Sequence, residues 1–82
     1  MDKHHYTYIV KCKDATLYTG YTNNLDARIR KHNLGQGAKY TQSRRPVQLV
    51  YHETYATKSE ALKREYAIKQ LTRAQKWQLI KG

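Results

Sequence analysis

Glu65 sits at the centre of SEALKREYAIKQL, residues 59 to 71, whose apolar residues recur at the spacing of an amphipathic helix. Residues three and four apart share a helix face. Ala61 and Ile68, with Leu62 and Leu71 at the edges, therefore define a face turned toward the core, and Glu65 lies within it. A carboxylate withdrawn from water is costly unless a partner compensates it. Two kinds of partner would do so. One is structural, an ion pair with Arg28 or a hydrogen bond from a tyrosine hydroxyl. The other is a divalent cation such as Mg2+, which one or two carboxylates can hold while substrate phosphates and water fill its remaining positions. The other carboxylates have plainer places: Asp2 at the terminus, Asp14 in a turn, Asp26 and Glu60 in first helical turns where the dipole favours them, and Glu53 toward a strand end.

The charge balance points the same way as the cation reading. Sixteen Lys and Arg face six Asp and Glu, a net charge of +10 on 82 residues. A field of that sign attracts polyanions, with nucleic acid the commonest inside cells and acidic membrane surface or acidic protein as alternatives. The segment GQGAKYTQSRRP, residues 35 to 46, reads as a loop in which Lys39, Arg44 and Arg45 surround Tyr40. Charge interleaved with a stacking-capable ring suits a phosphate backbone, and an ordinary solvated loop is the competing reading. The single cysteine, Cys12, forms no intramolecular disulfide, no signal pattern opens the chain, and no apolar run approaches the length of a membrane span. These features predict a cytoplasmic protein with no membrane association.

The elements that must position these groups are legible from pattern. YTYIVKC, residues 6 to 12, and LYTGYT, residues 17 to 22, read as two strands of a hairpin, joined by the turn chemistry of Lys13 to Thr16. Tyr6, Tyr8 and Val10 share one strand face, as Tyr18 and Gly20 share one of the other. Asn23 as N-cap and Asp26 open a helix whose Leu25 and Ile29 form an apolar stripe, with Arg28 and His32 beside it and directed to the rim of the sheet. VQLVYHET, residues 47 to 54, is a third strand. Thr57 with Glu60 makes a capping box that opens the helix carrying Glu65, and Thr72 with Gln75 makes another that opens a last helix through Trp77 and Ile80. The order β-β-α-β-α-α predicts one α+β domain over residues 1–82, with a small three-stranded antiparallel sheet flanked by helices.

Tyr6-Thr7-Tyr8 and Tyr18-Thr19-Gly20, with Arg28 after the second tripeptide and Glu65 on a late helix, resemble the signature of the GIY-YIG endonuclease superfamily. The resemblance runs from Tyr6 to about Leu79. LYTGYTNNLDARIRKHN and GAKYTQSRRPVQLVY are most similar to stretches of the small, stand-alone bacterial members, a single-domain family of uncharacterised function. It implies an active site on one sheet face and hydrolysis of DNA phosphodiester bonds with one divalent ion, Mg2+ or Mn2+, in a repair or recombination setting. By the resemblance Glu65 is the metal ligand, Arg28 the phosphate and transition-state contact, Tyr8 and Tyr18 the residues beside the attacking water, and His32 an aid to proton transfer. His32 is the easier base on pKa alone, because tyrosine ionises far above neutrality. Two departures stand out. Tyr6 and Thr7 replace the Gly and Ile of the family name, and no asparagine follows Glu65, the last being Asn33.

Two functions follow from these residues. The first is a metal-dependent endonuclease acting as a monomer on DNA through Tyr8, Tyr18, Arg28, His32 and Glu65, with a protein partner as a source of targeting. The second is a non-catalytic nucleic-acid-binding module in which Lys39, Tyr40, Arg44 and Arg45 carry the interaction. An adaptor for an acidic protein is a third.

Overall fold

The computed structural model describes residues 4–82, so Asp2 lies outside the described residues. Strand β1 (His5–Lys11) turns into β2 (Leu17–Thr22) through a loop in which Asp14 accepts from both the backbone N–H and the hydroxyl of Thr16. Helix α1 (Leu25–Asn33) and a one-turn helix α2 (Lys39–Gln42) precede β3 (Gln48–Tyr55), and α3 (Lys58–Lys69) and α4 (Arg73–Lys81) complete the chain. Both capping boxes form: Thr57 and Glu60 close the start of α3, and Thr72 and Gln75 that of α4.

The sheet is antiparallel in the order β2-β1-β3, so β1 is central. Its register places Tyr8 opposite Gly20 on one side and His52 on the other, and Val10 opposite Tyr18. Alternation then separates two faces. On one, Tyr8, Val10, Cys12 and Val47 form a buried cluster against Leu25 and Ile29 of α1, with Tyr18 and Leu49 beside them. On the other, the buried Thr7 hydroxyl donates to the Ala61 carbonyl at 2.6 Å, and Glu53 meets Arg64, so α3 covers that face. Thr7 stands where the family name has isoleucine, and its hydroxyl ties α3 to the central strand one turn before Glu65.

Several boundaries differ from expectation. The N-cap of α1 is Asn24, whose side chain accepts from Ala27 N–H at 3.1 Å; Thr22 takes the Asn24 N–H and delays the helix by one residue. The segment expected as continuous loop contains α2, which Thr41 secures by donating its backbone N–H and hydroxyl to Ala38 O. β3 runs one residue later than expected. Leu62 is exposed, as is Tyr66, so the apolar face of α3 is narrower than its sequence suggests and rests on Ala61 and Ile68.

Candidate active site

The hairpin register explains the tripeptide residues. Tyr8 and Gly20 are cross-strand partners, and the Tyr8 ring passes over Gly20: a Cβ there would stand 2.5 Å from the Tyr8 hydroxyl oxygen and 3.1 Å from the Tyr18 ring. Only glycine leaves that path open. Tyr8 is thus drawn toward the edge strand, where Tyr18, Arg28 and Glu65 all act electrostatically on its hydroxyl. Burial raises the Tyr8 pKa above its ordinary value, the Arg28 hydrogen bond and charge oppose this, and Tyr18 and Glu65 add to it. Its hydroxyl is therefore protonated near neutrality.

Arg28 and His32, one turn apart on α1, meet at that hydroxyl. Arg28 donates from Nε to the Tyr8 oxygen at 3.3 Å, and His32 Nε2 lies 2.8 Å from the same oxygen. His32 Nδ1 lies 2.8 Å from Thr41 Oγ1, which donates its single proton to Ala38 O. Proton supply fixes the tautomer: Nδ1 must carry the hydrogen, and Nε2 accepts from Tyr8. The expected rim position of His32 is corrected here, since it is fully buried beneath Gly37, which runs against its ring too closely to admit a Cβ. Burial and then the Arg28 charge hold its pKa below the usual histidine range, so it is neutral. With Nε engaged, Arg28 keeps both terminal nitrogens without a hydrogen-bond partner among the described residues. It borders an open cleft with Asn23, Asn24, Ala27 and Lys31.

Glu65 is 18% exposed, and its partner is neither Arg28 nor a tyrosine: Lys69 Nζ stands 3.1 Å from Oε2, an i,i+4 pair on α3. Glu53 supplies the comparison. Its side chain is also 18% exposed, yet it receives Arg64 Nε and Nη2 at 2.8 and 3.1 Å together with the hydroxyls of Tyr51 and Tyr55. Burial raises the Glu53 pKa, but these donors, Arg64 foremost, lower it on balance, while burial and then Glu53 push Tyr51 up to about 12. A carboxylate offers about four acceptor positions. Glu53 is saturated, and Glu65 holds one flexible ammonium.

That difference bears on a metal. Among the described residues no group of three or more His, Cys, Asp or Glu is placed to hold an ion. A single carboxylate with spare acceptor positions fits a cation that draws its other ligands from substrate phosphate and water.

The basic loop is more self-engaged than its composition suggests. Arg44 bridges to Asp14 at 3.1 Å, donates to Tyr40 O, and lies 4.1 Å over the Tyr40 ring. Tyr40 also stacks on Tyr18, with centroids 5.8 Å apart. Arg45 donates to Gln42 O and Asn33 O, and Lys39 is exposed. Asn33 is spent on the backbone of Val47, accepting its N–H and donating to its carbonyl.

A family model described as the GIY-YIG catalytic domain matches residues 4–78. The chain belongs to the GIY-YIG family. A UPF0213 protein of Staphylococcus epidermidis is 66% identical over 80 residues, 98% of this chain and 96% of the relative. One from Staphylococcus aureus is 66% identical over 77 residues, 94% of each. Two solution NMR structures are similar: a UPF0213 protein from Bacillus halodurans, 49% identical with a TM-score of 0.62 over 95% of this chain and 83% of that one, and a protein from E. faecalis, 48% identical with a TM-score of 0.65 over 96% and 84%.

In this GIY-YIG chain the two tripeptides have distinct physical duties. Tyr8 receives both α1 side chains, and Tyr18-Thr19-Gly20 supplies the second tyrosine and the gap that admits the first. The groups reach the β2 edge from helices on opposite sides of the sheet, α1 bringing Arg28 and His32 and α3 bringing Glu65. Sequence reasoning missed the supports, namely Thr41 and Gly37 around His32, and Lys69 on Glu65. The i,i+4 spacing of Glu65 and Lys69 was a signal that could have found the last of these.

Proposed function

We propose that this protein is a divalent-metal-dependent endonuclease that hydrolyses DNA phosphodiester bonds, in a setting such as repair or recombination. The observation that carries the reading is Glu65, an inward carboxylate engaged only by a lysine among the described residues, within electrostatic reach of the Tyr8 hydroxyl on which Arg28 and His32 converge. Arg28 has its guanidinium oriented through Nε, so its terminal nitrogens suit two non-bridging oxygens of one phosphate. Its fixed charge then opposes the negative charge that builds on the phosphoryl oxygens.

Water attacks phosphorus, and the bond to the leaving oxygen breaks. The proton of the attacking water passes to the Tyr8 oxygen as Tyr8 gives its own to Nε2 of His32, which is neutral and aimed to receive it. Both residues are buried, and of the two only Tyr8 also touches Arg28, the residue that meets the phosphate, so His32 serves as base through Tyr8 and not directly. The Tyr8 oxygen accepts from Arg28 Nε at one position and keeps a second acceptor position for the water proton. Tyr18 lines the mouth of the site, its ring edge against His32. Glu65 would hold one Mg2+ or Mn2+, and such an ion would supply charge that stabilises the leaving oxygen. Lys39, Arg44 and Arg45, with Tyr40, extend the positive surface toward the rest of the strand. Tyr40 already holds Arg44 and Tyr18 against its ring, so its contribution is to build this surface.

The test is a cleavage screen of single-stranded, duplex and branched DNA with Mg2+ or Mn2+ and with chelator. The endonuclease reading requires metal-dependent strand breaks in at least one substrate. Salt-sensitive binding with no breaks in any of them would leave the non-catalytic nucleic-acid-binding module instead.

A further inference from the structure

Resting on the reading of Glu65 as metal ligand, we propose that Lys69 is a built-in counter-ion that a divalent cation displaces, and that the released ammonium then takes a DNA phosphate beside Tyr18. The two partly buried carboxylates on or against α3 are neutralised in different ways. Glu53 is clamped by the planar fork of Arg64 and two tyrosine hydroxyls, a rigid arrangement with every donor directed. Glu65 has the point charge of a lysine on a flexible stem, bound to Oε2, with Oε1 lacking a hydrogen-bond partner among the described residues. An i,i+4 pair whose lysine is 47% exposed is weak and readily exchanged.

Where Lys69 goes on release is set by its neighbours. Its ammonium already stands over the Tyr18 ring, 5.9 Å from the centroid. Lys76 of α4 is close enough that burial and then the charge of Lys69 depress its pKa. Lys76 and Arg73 also border a cleft with Thr16, Leu17 and Tyr40. While Glu65 balances Lys69, the positive charge there is partly offset. Once a cation takes Glu65, the ammonium beside Tyr18 adds to Lys76 and Arg73 at a cleft whose lining holds no carboxylate among the described residues, and a nucleic-acid phosphate is the anion that fits. Metal and DNA binding are coupled as a result, each strengthening the other.

The deciding experiment titrates Mn2+ into the DNA-free protein and follows the free-ion signal by electron paramagnetic resonance, for wild type, Lys69→Met, Lys69→Arg and Glu65→Gln. Circular dichroism confirms the fold of each. Removing a unit charge about 3 to 4 Å from the carboxylate should tighten Mn2+ binding about fivefold in Lys69→Met. Lys69→Arg should bind no tighter than wild type, and Glu65→Gln should lose the site. With a phosphorothioate oligonucleotide, Mn2+ should tighten DNA binding in wild type, and in Lys69→Met the salt slope of that binding should fall by about one. Equal Mn2+ affinity in Lys69→Met and wild type, with loss in Glu65→Gln, overturns the counter-ion role and leaves Glu65 as ligand. Undiminished binding in Glu65→Gln overturns the ligand reading itself, and the counter-ion role with it.

Discussion

The hydroxyl of Tyr8 donates to Nε2 of His32 across 2.8 Å, with neither residue open to solvent. The pair joins the central strand to α1, and it fixes where Arg28 sits, because the same hydroxyl oxygen accepts from Arg28 Nε. A neutral imidazole is a condition of this arrangement. Protonation of the resting imidazole would place a cation in a buried position beside Arg28.

Stability should therefore fall on acidification in a way that His32 governs. Burial, then Arg28, hold the folded-state pKa of His32 below its ordinary 6.5. The unfolded chain binds the proton first, so the stabilisation is complete above about pH 6.5 and is lost as pH falls through and below that value. Urea midpoints of wild type should drop as pH falls below about 6.5, with a flatter profile for His32→Gln. Parallel profiles would remove His32 as the source.

Gly20→Ala places a methyl group 2.5 Å from the Tyr8 oxygen and 2.7 Å from Cζ. The ring must leave its path, so the variant should lose about 1 to 3 kcal/mol of stability and nearly all cleavage. The His32 ring signals should shift in its NMR spectrum as the Tyr8 hydrogen bond breaks. Wild-type cleavage by this variant would show that the Tyr8–His32 contact is dispensable.

The two carboxylates of similar exposure should part company on substitution. Glu53→Ala strands Arg64 and the hydroxyls of Tyr51 and Tyr55, and should cost about 2 to 3 kcal/mol in a denaturant titration. Glu65→Ala removes one half-exposed i,i+4 pair and should cost about 0.5 kcal/mol or less. A reversed ranking would make Glu65 the structural carboxylate.

Arg28→Lys retains charge but loses the fork and the Nε donor to Tyr8. Cleavage should fall about 100-fold with the melting temperature nearly unchanged. An activity close to wild type would mean that charge alone suffices at this position.

The fold was legible because its local signals agree with one another. Thr57 with Glu60 and Thr72 with Gln75 are capping boxes in the structure as in the sequence, and the alternating strands pair in the expected hairpin. Asn23 and Asn24 are both competent caps, and the local hydrogen bond from the Asn24 N–H to the Thr22 hydroxyl selects the second. The site was legible as residue types more than as environments. Periodicity put Glu65 on an inward face, and its 18% exposure agrees. Periodicity also made Glu53 look ordinary, because Arg64, Tyr51 and Tyr55 gather around it through strand alternation and one helix contact that sequence spacing does not reveal. His32 looked like a rim residue because the stretch that buries it, Gly37 to Thr41, read as open loop.

The most direct measurement of the central claim is plasmid nicking by wild type and Glu65→Gln with Mn2+ and with chelator, alongside melting curves. Wild type should nick only with the metal. Glu65→Gln should not nick at all, while melting within about 3 °C of wild type. Nicking by Glu65→Gln at the wild-type rate would contradict the assignment of Glu65 as the carboxylate that holds the metal.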